Sequence, residues 1–113
     1  MTTLYHNPRC SKSREALQIL EDKGETIEIV RYLDNPPTPQ ELKQILELLG
    51  IKPIDLVRTN EPEWKENFKG KNLTDEEIIK AMIAYPKLIE RPIAIHGTHA
   101  VIGRPPEKVL EIL

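Results

Sequence analysis

Two hydrophobic periods take turns along this chain. Leu4 and Tyr5 end a short extended run that stops at Asn7-Pro8, because proline lacks a donor and restricts the residue before it. Over residues 11–23 the period lengthens: Ala16, Leu17 and Leu20 share a helical face, and Gly24 offers a stop. Residues 26–32 alternate again, with Ile27, Ile29 and Arg31 against Glu28, Val30 and Tyr32, which predicts a second strand ended by Asp34-Asn35-Pro36-Pro37. A second helix follows, with Thr38 as N-cap, Pro39 in its first turn, Glu41 completing a capping box, Leu42, Ile45, Leu46 and Leu49 on one face, and Gly50 at its end. Between residues 51 and 85 there is no strand pattern. Short helical pieces are expected at 53–57, at 61–68 and after Thr74, whose Glu77 forms another capping box ahead of Ile78, Ile79 and Met82. Residues 92–96 and 100–103 then read as two strands joined by Gly97-Thr98-His99. Pro105-Pro106-Glu107 opens a last helix expected to turn Val109, Leu110 and Leu113 inward.

The order is therefore β-α-β, a helix, a helical insertion, and a closing β-β-α. A right-handed crossover followed by a hairpin and a helix is the thioredoxin arrangement: an α/β fold with a four-stranded mixed sheet and flanking helices. The length of 113 residues fits one such domain, 1–113, with the insertion at about 51–90.

Composition narrows the function. A formal net charge of -2, from 16 basic and 18 acidic residues, gives no broad cationic field, so a general nucleic-acid binder is not expected. No apolar run approaches the roughly 20 residues that span a bilayer, and the N-terminus is too polar for a signal peptide, so no membrane partner is expected. The single cysteine excludes an internal disulfide and suits a reducing compartment, which points to the cytoplasm.

That cysteine, Cys10, stands between Pro8-Arg9 and a helix start, where unpaired N–H groups and the helix dipole favour an anion. An arbitrary cysteine is more often buried and inert. Here His6, Arg9, Lys12 and Arg14 supply a polar, cationic neighbourhood that favours the thiolate, the nucleophilic form. A dithiol mechanism would need a second cysteine in a C-x-x-C motif, but Ser13 fills that place, so a resolving thiol has to come from outside. A C-x5-R phosphatase loop is also absent, since Ala16 stands where arginine is required. His96 and His99 with a distant Cys10 lack the ligand spacing of a metal site, and no metal is expected. Of six arginines, Arg58, Arg91 and Arg104 lie at loop and element ends, away from any evident salt-bridging helix face. A rigid fork of donors in such places suits a tetrahedral oxyanion. The Arg91-Pro92 bond is a candidate for the cis form, since a proline ahead of a strand in this arrangement often faces the helix that carries the cysteine.

The blocks His6-Asn7-Pro8-Arg9-Cys10-Ser11-Lys12-Ser13-Arg14, Tyr32-Leu33-Asp34-Asn35-Pro36-Pro37, Leu56-Val57-Arg58-Thr59-Asn60, Glu90-Arg91-Pro92-Ile93 and Gly103-Arg104-Pro105 resemble the glutaredoxin-coupled arsenate reductases, in their order and spacing. The resemblance implies that Cys10 attacks arsenate, that glutathione then enters as co-substrate, and that glutaredoxin removes it as arsenite leaves, with no bound cofactor. It implies catalytic roles for Cys10 and for His6, which matches a histidine that helps activate the thiol. Arg58, Arg91 and Arg104 match the arginines that bind substrate. A monomer is the default for a small enzyme that docks a redox partner. Two alternatives share the scaffold: a glutathione-dependent thiol reductase with another substrate, and an Spx-type regulator that binds a protein partner. The regulator fits less well, because those proteins usually carry a C-x-x-C switch where this chain has Ser13.

Overall fold

The computed structural model describes residues 1–113. The elements run β1 (Thr2–Tyr5), α1 (Ser11–Asp22), β2 (Ile27–Val30), α2 (Pro39–Leu49), α3 (Pro62–Asn67), α4 (Asp75–Ala84), β3 (Ile93–His96) and β4 (His99–Ile102). Three 3-10 segments, Pro53–Leu56, Pro86–Leu88 and Pro106–Ile112, complete the chain. Contacts divide it into two compact units, one of Met1–Asn35 with Arg91–Leu113 and one of Pro36–Glu90. No helix is long and apolar enough to cross a membrane.

The first unit carries the sheet, in the order β2-β1-β3-β4. β1 pairs with β2 in parallel and with β3 antiparallel, and β3 pairs antiparallel with β4, so the fold is thioredoxin-like. Alternation along β1 buries Thr2 and Leu4 on one face. Leu4 meets Ala16 and Leu20 of α1, Ala94 of β3, and Val109 and Ile112 of the last segment. Leu4, Leu20 and Val109 are each fully buried, and such a side chain contributes about 1.5–3 kcal/mol relative to exposure.

Two elements differ from the sequence pattern, each for a local reason. β2 ends at Val30 because the Arg31 carbonyl accepts from the amides of both Asp34 and Asn35, at 3.0 and 2.9 Å, and so turns out of the ladder. The last helix is 3-10 and buries Pro106, Val109 and Ile112, while Leu110 and Leu113 face outward. A spacing of three matches three residues per turn, so the eclipsed face of a 3-10 helix collects those residues where an α-helix would have spread them.

The second unit is helical. Both capping boxes form: Thr38 Oγ1 accepts from the Glu41 amide while Glu41 Oε1 accepts from the Thr38 amide, and Thr74 and Glu77 do the same ahead of α4. Such caps contribute about 1 kcal/mol each. Leu42, Ile45 and Leu46 of α2 and Ile78, Ile79 and Met82 of α4 are buried, and the two helices pack together. A single antiparallel bridge, Val57 with Ile89, sets the segment before Arg58 beside the segment before Glu90.

Candidate active site

Strand register gathers the chemistry of the sheet unit on one rim. Tyr5 pairs with Val30 on one side and with Ile93 on the other, and Ile93 pairs with Ile102. The loop after β1, with His6 to Cys10, therefore emerges between Arg31, which follows β2, and Arg91-Pro92, which precede β3. Gly103-Arg104 follow β4 next to them. The Arg91-Pro92 and Arg104-Pro105 bonds are both cis. The Gly103 amide donates to the Pro92 carbonyl at 2.8 Å. A Cβ on Gly103 would lie 2.9 Å from Pro92 Cγ and 3.2 Å from Val109 Cγ1, so only glycine lets this backbone approach so closely.

Arg104 is clamped at its inner end, where Nε donates to the Arg91 carbonyl at 2.7 Å. Its outer Nη2 donates to Cys10 Sγ at 3.7 Å. Cys10 is the N-cap residue of α1, and its own side chain makes no cap hydrogen bond. A guanidinium on one side and the N-terminal end of a 12-residue helix on the other frame this sulfur. Arg91 Nε is buried and has no hydrogen-bond partner. A buried charged donor left empty is costly, and an anionic oxygen is the group that would satisfy it.

His6 is placed differently from its neighbours. It is 6% exposed, and Nδ1 lies 2.6 Å from Ser13 Oγ. It makes no hydrogen bond to Cys10. Burial, then the charges of Arg31 and Arg14, hold its pKa below the ordinary histidine value, which favours the neutral ring at pH 7. Ser13 Oγ also accepts from the Asn7 amide at 3.0 Å. Asn7 in turn accepts from the Arg9 amide through Oδ1 and from the Cys10 amide through its carbonyl, both at 3.0 Å. Arg14 Nη1 donates to the Pro8 carbonyl at 3.0 Å, so this arginine braces the loop. The result is a rigid frame around Cys10 in which His6 and Ser13 are the buried tie.

Ser13 is the residue that motif reasoning undervalued, since its place was read only as a missing cysteine. Its signal was available: three residues after a helix N-cap, a hydroxyl points back at the loop that enters the helix. Arg58 lies in the helical unit. Nη1 pairs with Glu61 Oε1 and Nε lies 3.8 Å from Glu90 Oε1, so two half-buried carboxylates hold it.

The ArsC family profile matches residues 5–112. The chain belongs to the ArsC family. An arsenate reductase of Haemophilus influenzae is 46% identical over 112 residues, the match covering 97% of each chain. An arsenate reductase of Neisseria meningitidis is 40% identical over 112 residues, covering 97% of this chain and 96% of the relative. The solved structure of arsenate reductase from Vibrio cholerae matches with a TM-score of 0.94 at 44% identity, over 99% of this chain and 97% of that one. All five sequence blocks of this ArsC-family protein fall within the matched region.

Proposed function

We propose that this protein reduces arsenate to arsenite, with Cys10 as nucleophile and with glutathione and glutaredoxin supplying the electrons. The observation that carries the reading is the pairing of Arg104 Nη2 with Cys10 Sγ, made by an arginine whose Nε holds the carbonyl of Arg91, a residue that keeps a buried Nε of its own without an acceptor. It is a sulfur already facing a cation, on a rim that also carries a donor without an acceptor. The arsenate reductases among its relatives supply the identity of that anion.

The chemistry proceeds by forming a bond from Cys10 sulfur to arsenic as one arsenate oxygen leaves as water. Arg104 and Arg91 stabilise the negative oxygens that gather charge in this step. Reduction needs two electrons. With no second cysteine in the chain, they come from two outside thiols that end as one disulfide, while arsenite departs and Cys10 returns as thiolate. Arg58 is proposed as a third arsenate-binding arginine, supported by its match to the family pattern; to bind, it has to release Glu61 and Glu90.

The test is arsenate-dependent NADPH oxidation coupled through glutathione reductase, glutathione and glutaredoxin. Turnover that requires all three together with Cys10 is expected. Glutathione oxidation without dependence on arsenate would replace this reading with that of a thiol reductase acting on another substrate.

A further inference from the structure

The rim described above has two sides, and the arsenate site proposed there takes its rim arginines from only one of them. On the β3–β4 side stand Arg91 and Arg104. On the β2 side lies a separate cavity of about 270 Å³, walled by the loop residues His6, Pro8 and Arg9 and by Arg31, Leu33 and Asp34. Its position follows from the topology: β1 and β2 are parallel, so both release their next residues at the same edge, where open α/β sheets bind ligands. The His6 amide donates to the Val30 carbonyl at 2.9 Å, which locks the two walls together at their base.

Its charges are available to a ligand. The Arg9 side chain is exposed and takes part in none of the chain's ion pairs. Arg31 Nε lies 3.7 Å from Asp34 Oδ2, with side chains 61% and 70% exposed. An exposed pair of this kind is worth little and exchanges readily for a ligand. The cavity thus presents two guanidinium groups and one carboxylate, beside a small apolar wall from Pro8 and Leu33. Their complement is a small molecule with two carboxylates and one ammonium. Arg9 precedes the nucleophile directly, so a thiol anchored here by its carboxylates has its sulfur within reach of the Cys10 loop while the oxyanion side stays occupied.

We infer that this cavity is the subsite for the resolving thiol, and that Arg9 and Arg31 select a thiol bearing carboxylates, with Asp34 receiving its ammonium group. The inference rests on the reading of Cys10 as a nucleophile resolved by an external thiol, and it assigns the residues that hold that thiol. It assigns Arg31 a role in recognition, although the residue belongs to no sequence motif singled out above.

The test uses thiol-disulfide exchange in the absence of arsenic. Cys10 thiolate attacks glutathione disulfide: the S–S bond of the reagent breaks, a new one joins Cys10 to one glutathione, and the other half leaves as thiolate. Rates are followed by intact mass, with neutral bis(2-hydroxyethyl) disulfide in parallel. The readout is the ratio of the charged-disulfide rate to the neutral-disulfide rate, which cancels any change in the reactivity of Cys10 itself. Arg9→Gln and Arg31→Gln are each expected to lower the ratio about tenfold, and raised salt should lower it in the wild-type protein. A double variant whose ratio stays within about twofold of wild type overturns the subsite. Loss of selectivity in the variants of a protein that shows no arsenate turnover supports the subsite and removes the arsenate reading. Arsenate turnover with an unchanged ratio does the reverse.

Discussion

Arginines in the two compact units live in opposite surroundings. In the helical unit, Arg58 is held by Glu61 and Glu90, its charge already answered by carboxylates of its own fold. In the sheet unit, Arg104 spends one donor on a backbone carbonyl and directs another at a cysteine sulfur, while a buried donor of Arg91 has no acceptor at all. The same residue type is thus stitched in one place and poised in the other. A guanidinium that a fold leaves unsatisfied is better evidence of a ligand than one matched to a sequence pattern, because the fold bears the cost of the missing hydrogen bond.

Experiments that break this contrast differ in size. Cys10→Ser should abolish arsenate-dependent turnover in the coupled assay while leaving the circular dichroism spectrum intact; residual turnover would remove Cys10 as the nucleophile. Arg104→Ala should lower kcat/KM for arsenate by about 10²–10³. Arg104→Lys should restore little of that loss, since an ammonium cannot hold the Arg91 carbonyl and the sulfur at once. Gly103→Ala should cost about 1–3 kcal/mol in urea unfolding, because the added methyl group meets Pro92 and Val109 where the chain bends toward Arg104. Arg58→Ala should lower kcat/KM by only about tenfold, since this arginine must first release two carboxylates. A loss as large as that of Arg104→Ala would erase the distinction between the two surroundings.

The smallest effect is one of pH. Folded His6 has a lowered pKa, so as pH falls below about 6.5 the unfolded chain takes up the proton first. The stability contributed by neutral His6 is therefore complete above that value and is lost as pH falls toward the folded pKa. Thermal unfolding of wild type and His6→Gln, from about pH 7.5 down to about pH 5, should show the difference between them narrowing on acidification. A constant difference would mean that the histidine titrates alike in both states.

What the sequence made legible was local. The Thr38 and Thr74 caps and the Gly50 stop depend on neighbours within four residues, and the structure has them all. Cys10 at a helix start was legible for the same reason. Facts that depend on register were not. The position of Arg31 beside the Cys10 loop requires β2 to pair in parallel with β1 and to end at Val30, and an alternating pattern that continued to Tyr32 concealed that end. Arg91 and Arg104 could be picked out as arginines at element ends, but nothing in the chain announced that the carbonyl of one would clamp the side chain of the other. The 3-10 character of the last segment was hidden by three leucine and valine positions that fit a wider helical face, until tertiary packing chose Pro106, Val109 and Ile112.

Ser13 sets a limit on what this protein can do to itself. Its hydroxyl is buried, tied to His6 and to the Asn7 amide, in the place from which a second sulfur could have closed on Cys10. Every disulfide that Cys10 forms must join it to another molecule. The disulfide form of the protein is therefore always a conjugate, heavier than the reduced one by the partner it met, and its mass is a record of which thiols surround it.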